Sequence, residues 1–126
     1  MNAMVKHIGL QVIETDITNF YESVFGFKSS KSFSLGCNES KEIFGINTDV
    51  TIILGACGEV ELELFVSKNP KQLNYNHVCL MVNNAEQLAE HAAQKDYRVF
   101  TRENKQGFTY FISDSNSNIF EIKNIQ

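Results

Sequence analysis

The chain has 126 residues, about the length of one domain, and its hydrophobic fraction of 43% is enough to form a core. A single proline and seven glycines exclude a collagen-like or low-complexity chain. The net charge of −4, with Arg98 and Arg102 as the only arginines, argues against nucleic acid or an anionic membrane as a partner. We find neither a bilayer-spanning apolar stretch nor a signal peptide. We therefore expect one cytoplasmic domain, residues 4–126, with no disulfide among its three scattered cysteines.

The first half of the chain alternates between apolar and polar residues, with one helical interruption. The stretch 5–13 has the period of a half-buried strand. Asp16 is placed to cap a helix, and Gly26 is placed to end it. The helix would bury one stripe of side chains: Ile17, Phe20, Tyr21 and Val24. Three more strands are predicted at 27–35, 50–54 and 59–66, with Gly55 and Gly58 bracketing a hairpin turn and a short helix at 42–45.

After a pause around Pro70, the same order of elements repeats. A strand is predicted at 76–82, and Asn84 opens a helix that buries Ala85, Leu88, Ala89 and Ala92. Three strands follow at 97–101, 108–113 and 119–125. The chain therefore predicts an α+β fold of two βαβββ modules, residues 4–68 and 74–126. We expect the modules to form a cupped mixed sheet with the helices on its outer face.

Each half carries a histidine on its first strand and a glutamate on its last. His7 and His77 begin the similar sequences His-Ile-Gly-Leu-Gln-Val and His-Val-Cys-Leu-Met-Val, and Glu63 and Glu121 lie between apolar neighbours. All four side chains point away from the predicted core, and strands curved toward each other would bring them together. Imidazole with carboxylate suits Zn, Ni, Co, Fe or Mn and leaves positions for water or substrate. Glu61 shares the face of Glu63, so a two-residue error in register would exchange the two.

The order of these pieces resembles the vicinal oxygen chelate superfamily of glyoxalases, bleomycin-resistance proteins and extradiol dioxygenases. The likeness spans residues 5–125 and is closest to metal-dependent glyoxalase-like members. It rests on the opening strand with His7, the helix ending in Phe25-Gly26-Phe27, the strand Glu61 to Phe65, the second histidine, and the closing segment Phe111 to Glu121. The resemblance implies one divalent metal per site, with His7, Glu63, His77 and Glu121 as its ligands.

Two departures from the family pattern stand out. The turn Asp114-Ser115-Asn116-Ser117-Asn118 lacks the usual proline and glycine, from which we expect a looser turn. The first strand has no arginine for a glutathione carboxylate. The lysines Lys28, Lys31, Lys41 and Lys105 are the candidate anion contacts.

The resemblance implies a glyoxalase-type lyase, isomerase or epimerase that acts on a small substrate with adjacent oxygens through an enediolate-type intermediate. Glu121 or Glu63 would move the proton. The alternatives are a drug- or metabolite-binding protein of the bleomycin-resistance type and an extradiol-type dioxygenase. A homodimer is expected, with ligands either from one chain or shared between subunits.

Overall fold

The computed structural model describes residue 2 and residues 4–68, 76–105 and 107–125. The predicted pause around Pro70 and the start of the second module at residue 74 lie outside these residues. In the first module the strands are β1 (Ile8–Val12), β2 (Lys28–Leu35), β3 (Val50–Cys57) and β4 (Val60–Val66). In the second they are β5 (His77–Val82), β6 (Arg98–Asn104), β7 (Gly107–Ser113) and β8 (Ile119–Asn124). The helices are α1 (14–25), α2 (Cys37–Phe44) and α3 (Ala85–Gln94).

Each module forms its own four-stranded mixed sheet. The strand orders are β1-β4-β3-β2 and β5-β8-β7-β6, so the two sheets have the same topology. In each, the first strand pairs in parallel with the last, while the remaining neighbours are antiparallel. The predicted α+β fold of two βαβββ modules is confirmed. The edge strands β1 and β5 flank a common groove of about 230 Å³, so the sheets lie edge to edge.

One hydrophobic core joins the two modules. Buried side chains of β1 and β4, such as Leu10 and Leu64, share a cluster with Ile112 and Ile122 of the second sheet. Phe20 of α1 packs edge-on against Tyr21, Phe25 and Tyr97. The predicted stripes of α1 and α3 face this core. By contrast, α2 packs on the opposite face of the first sheet, where its Phe44 ring lies 5.1 Å from that of Phe65. No helix of the described residues has the length and apolar character required to cross a membrane.

Helix α1 differs from the prediction at its start. Its middle, Ile17–Glu22, is a π-helix between the α-helical turns Glu14–Asp16 and Ser23–Phe25. Asp16 is therefore inside the helix rather than its N-cap, which is Ile13. The buried Asp16 carboxylate instead accepts hydrogen bonds from the Tyr97 hydroxyl at 2.7 Å and the Ser115 amide at 2.7 Å. It thus stabilises the junction between modules. Gly26 ends the helix with a φ of +68°, as predicted.

The turn 114–118 is tightly bonded, which corrects the expectation of a loose turn. Asp114 is buried, and its Oδ1 accepts hydrogen bonds from the backbone amides of Asn116 and Asn118 at 2.9 and 2.8 Å. Its Oδ2 accepts the Tyr21 hydroxyl at 2.7 Å and the Asn118 side-chain amide at 2.8 Å. Side-chain bonds to the backbone therefore replace the rigidity that proline would supply. Burial raises the pKa of Asp114, while burial and the nearby Asp114 charge raise that of Tyr21 well above its usual value.

Gly55 lies inside β3 rather than at the hairpin turn, which is a correction. Strand β3 continues to Cys57, and the turn consists of Gly58 and Glu59. A Cβ at Gly55 would collide with the Lys28 carbonyl oxygen and the Phe27 ring. Glycine is required here because another backbone segment approaches closely.

Candidate metal centre

The first histidine–glutamate pair lies on the face of the first sheet that points away from the core. His7 immediately precedes β1, and Glu63 lies opposite Gly9 in the parallel register of β1 and β4. The His7 Nε2 and Glu63 Oε2 atoms are 3.5 Å apart, with the side chains 42% and 18% exposed. Glu61 instead contacts Lys6, with 3.0 Å between Oε2 and Nζ. Of the two glutamates that share this face, Glu63 is therefore the partner of His7.

The second pair repeats the first. His77 begins β5, and Glu121 lies opposite Cys79 in the parallel register of β5 and β8. The His77 Nε2 and Glu121 Oε1 atoms are 3.3 Å apart, with the side chains 45% and 19% exposed. In both modules the glutamate pairs with the residue two positions after the histidine, so the duplication reproduces the geometry as well as the residue types. The other Glu121 oxygen lies 3.5 Å from Lys123 Nζ.

The spacing within each pair fits two ligands of one divalent ion. Nitrogen and oxygen donors about 2.0–2.2 Å from an ion, at ordinary bond angles, lie about 3.0–3.5 Å from each other. The observed 3.3 and 3.5 Å fall in this range and exceed the length of about 2.7–2.9 Å typical of a charge-assisted hydrogen bond. A two-ligand set is incomplete, however. Within the described residues of one chain, no three histidine, cysteine, aspartate or glutamate side chains form a group able to hold a metal.

The two faces that carry these pairs also expose large apolar side chains. Phe33 lies opposite Ile52, which in turn lies opposite Phe65, so it shares the face of Glu63. Met81 and Phe100 lie on the face of Glu121. All three are exposed in the single chain. Both pairs thus lie on sheet faces that expose apolar side chains in the single chain, although α2 covers part of the first of these faces.

Sequence reasoning missed a pocket beside the second pair. A shallow pocket of about 340 Å³ lies on the same face of the second sheet as Glu121. It is lined by residues of β6, β7 and β8: Arg98, Phe100, Arg102, Phe111, Ser113 and Ile119. Only the alternating period of 98–102, which places both arginines on one strand face, could have indicated it. The four lysines proposed as anion contacts do not line this pocket.

The fold is the one that the sequence resemblance implies. The solved structures that share it include fosfomycin resistance proteins and a glyoxalase I. No protein-family model and no curated protein sequence matches the chain.

The genomically encoded fosfomycin resistance protein FosX of Listeria monocytogenes, in its hexagonal form, has a TM-score of 0.77 at 15% identity. The alignment covers 100% of this chain and 96% of that one. FosX of Mesorhizobium loti has a TM-score of 0.68 at 16% identity, covering 98% and 92% of the two chains.

The trypanothione-dependent glyoxalase I of Leishmania major has a TM-score of 0.72 at 20% identity. The alignment covers 98% of this chain and 87% of that one. A mutant of the Listeria protein is solved in complex with Mn(II) and 1S,2S-dihydroxypropylphosphonic acid. At these identities the likeness shows the fold and leaves the activity open.

Proposed function

We propose that this protein is a metal-dependent, glyoxalase-type lyase or isomerase that acts on a small substrate with adjacent oxygens. One divalent ion per site would be held by His7, Glu63, His77 and Glu121. The observation that carries the proposal is the repeated pair, in which imidazole and carboxylate atoms lie 3.5 and 3.3 Å apart at equivalent positions. Mn(II) is the first ion to test, because it suits these donors and is present in a complex of a structural neighbour.

The complete site would form between two copies of the chain. Each pair supplies two ligands, and no third metal-binding side chain joins either pair within the described part of one chain. A twofold axis would place the first-module pair of one copy against the second-module pair of the other, creating two identical sites. The exposed Phe33, Met81 and Phe100 lie on the faces that this assembly would cover. The protein is thus proposed to be a homodimer with shared ligands.

Glu121 is the better candidate for the proton-moving residue. When bound, the metal would act as a Lewis acid that polarises two neighbouring substrate oxygens. Glu121 lies directly opposite Phe111, which lines the pocket, so its carboxylate adjoins the space available to a substrate. There it would remove a proton from the carbon beside a carbonyl and return it to the product. Glu63 faces the first-module surface and would act chiefly as a ligand.

Mixing two inactive chains tests the shared site. One chain carries His7→Ala with Glu63→Gln, and the other carries His77→Ala with Glu121→Gln. Neither homodimer would contain an intact site, whereas each mixed dimer would contain one. With random pairing, Mn(II) binding measured by electron paramagnetic resonance should return to about a quarter of the wild-type capacity. If the mixture binds no more ion than its separate components, the shared site is wrong.

A second measurement tests the chemistry. Deuterium exchange at the carbon-bound hydrogens of hydroxyacetone, an α-hydroxycarbonyl probe, can be followed by NMR in D₂O with the Mn(II)-loaded protein. Glu121→Gln should lower the exchange rate about 100-fold or more while retaining much of the ion, because the amide cannot accept the proton. A wild type that binds no metal would favour the bleomycin-resistance-type binding protein instead, and iron in protein purified without added metal would favour the dioxygenase.

A further inference from the structure

Both arginines of the chain line a single pocket. Arg98 and Arg102 lie four residues apart on β6, and the alternation of a strand places both on the same face. The remaining 124 residues contain no other arginine, and the chain as a whole is acidic. Two guanidinium groups beside the same 340 Å³ pocket therefore form a concentrated positive site on an otherwise negative protein.

The pocket is continuous with the second histidine–glutamate pair. The register places Arg98 opposite Ser113, Ser113 opposite Ile119, and Ile119 opposite His77, so one row of residues crosses the sheet. Glu121 lies in the next row. Strand β6 is two strands from β8, which separates their backbones by about 10 Å. A small molecule can therefore contact the arginines at one end and approach Glu121 at the other.

Within the part of the chain that the structure describes, neither guanidinium forms an ion pair with a carboxylate. The ion pairs of the described residues involve lysines and histidines, and neither arginine takes part. Between the two arginines in the strand lies Phe100, opposite Phe111, so the pocket combines two positive groups with an aromatic surface. A planar guanidinium group can donate two parallel hydrogen bonds to a carboxylate, a phosphate or a phosphonate.

We infer that Arg98 and Arg102 form an oxyanion subsite that selects a small substrate bearing a carboxylate, phosphate or phosphonate group. The inference rests on the proposed function, because the subsite would hold the anionic end of the molecule whose other end reaches Glu121. The subsite narrows the proposed substrate class from any compound with adjacent oxygens to a small anion. The part of this anion next to the charged group would be apolar, because Phe100 and Phe111 line the pocket.

Anion titrations of the full-length protein test this subsite. Inorganic phosphate and acetate are added separately at pH 7.5 and low salt, and binding is followed by shifts in the ¹H–¹⁵N NMR spectrum. Arg98→Gln and Arg102→Gln should each weaken binding about tenfold, and the double variant should abolish saturable binding. Lys95→Gln removes the same charge from a residue that follows α3 and does not line the pocket, and it should leave the affinity unchanged. Saturation by phosphate alone would assign a phosphate-like group, and saturation by both anions would extend the class to carboxylates.

The same variants distinguish this inference from the proposed function. Mn(II) affinity should be unchanged in the double arginine variant and lost when His77 and Glu121 are replaced. If neither anion binds the wild type, or if Lys95→Gln weakens binding as much as the arginine variants do, the oxyanion subsite is wrong although metal binding persists. If anion binding depends on the arginines but no Mn(II) binds, the subsite stands and the metal-dependent function fails.

Discussion

Replacing Tyr21 with phenylalanine removes one hydroxyl from the junction between the two modules. This hydroxyl donates to Asp114 Oδ2 at 2.7 Å, and both residues are buried. A hydrogen bond to a charged group contributes about 1.5–3 kcal/mol. Because Oδ2 still accepts from the Asn118 side chain, the expected loss is in the lower part of this range, about 2 kcal/mol. Unfolding entropy of about 2.1 cal/mol/K per residue converts this, over 126 residues, into a Tm lowered by about 8 °C.

Thermal and urea unfolding of wild type and Tyr21→Phe measure this difference. Tyr110→Phe is the matched control, because it deletes the same group at a partly exposed tyrosine of β7 whose hydroxyl has no hydrogen bond among the described residues. The control should change the free energy of unfolding by less than about 0.5 kcal/mol. Equal losses in the two variants would refute the argument that the Tyr21–Asp114 bond stabilises the junction.

Three further predictions concern ionisation, packing and thiol reactivity. Burial and the bond to Asp16 raise the pKa of Tyr97, so the folded state keeps a proton that the unfolded state loses. Stability should therefore fall as the pH rises above about 10, and less steeply in Tyr97→Phe, as urea midpoints would show. Gly55→Ala should lower the free energy of unfolding, measured by thermal unfolding, by about 1–3 kcal/mol. Gly36→Ala should lower it far less, because a Cβ at Gly36 would meet open space. Equal losses would contradict the predicted clash at Gly55. Burial raises the pKa of Cys57 to about 11, so at pH 8 iodoacetamide should modify the exposed Cys79 first, as peptide mass spectrometry would show; the reverse order would be inconsistent with the burial.

The sequence predicts the strands of both modules well, because a strand with one buried face must alternate between apolar and polar residues. The polar faces of β4 and β5 were recognised from their period of two, and the structure shows their apolar residues turned toward the core. Strand ends were less accurate: β3 runs to Cys57 because the close approach at Gly55 looks in sequence like a turn. Glycine marks both situations, and sequence alone cannot distinguish them.

The polar junction could not be predicted because its partners are remote in sequence. Asp16 looks like a helix cap, yet Tyr97 and Ser115, its partners, are more than 80 residues away. The sequence shows that the turn 114–118 lacks the proline and glycine of the family, but the turn is tightly hydrogen-bonded where we expect a looser one. The Asp114 carboxylate accepts hydrogen bonds from the Asn116 backbone amide and the Asn118 side chain, and these bonds supply the rigidity that the missing proline would have given. The missing proline and glycine therefore predicted a weaker turn than the bonds to Asp114, from within the turn and from the remote Tyr21, produce.

The sequence predicts each histidine–glutamate pair better than it predicts a complete four-ligand site. Each histidine lies at or just before the start of a strand that pairs in parallel with the strand of its glutamate, so the geometry follows from strand pairing within one module and can be anticipated from the repeat. The union of two pairs depends on how modules meet, which the repeat leaves free. In this chain the modules share a core through their helix-bearing faces, which directs the pairs onto the opposite, exposed faces. The proposed four-ligand site would therefore require these outer sides to face a second copy of the chain.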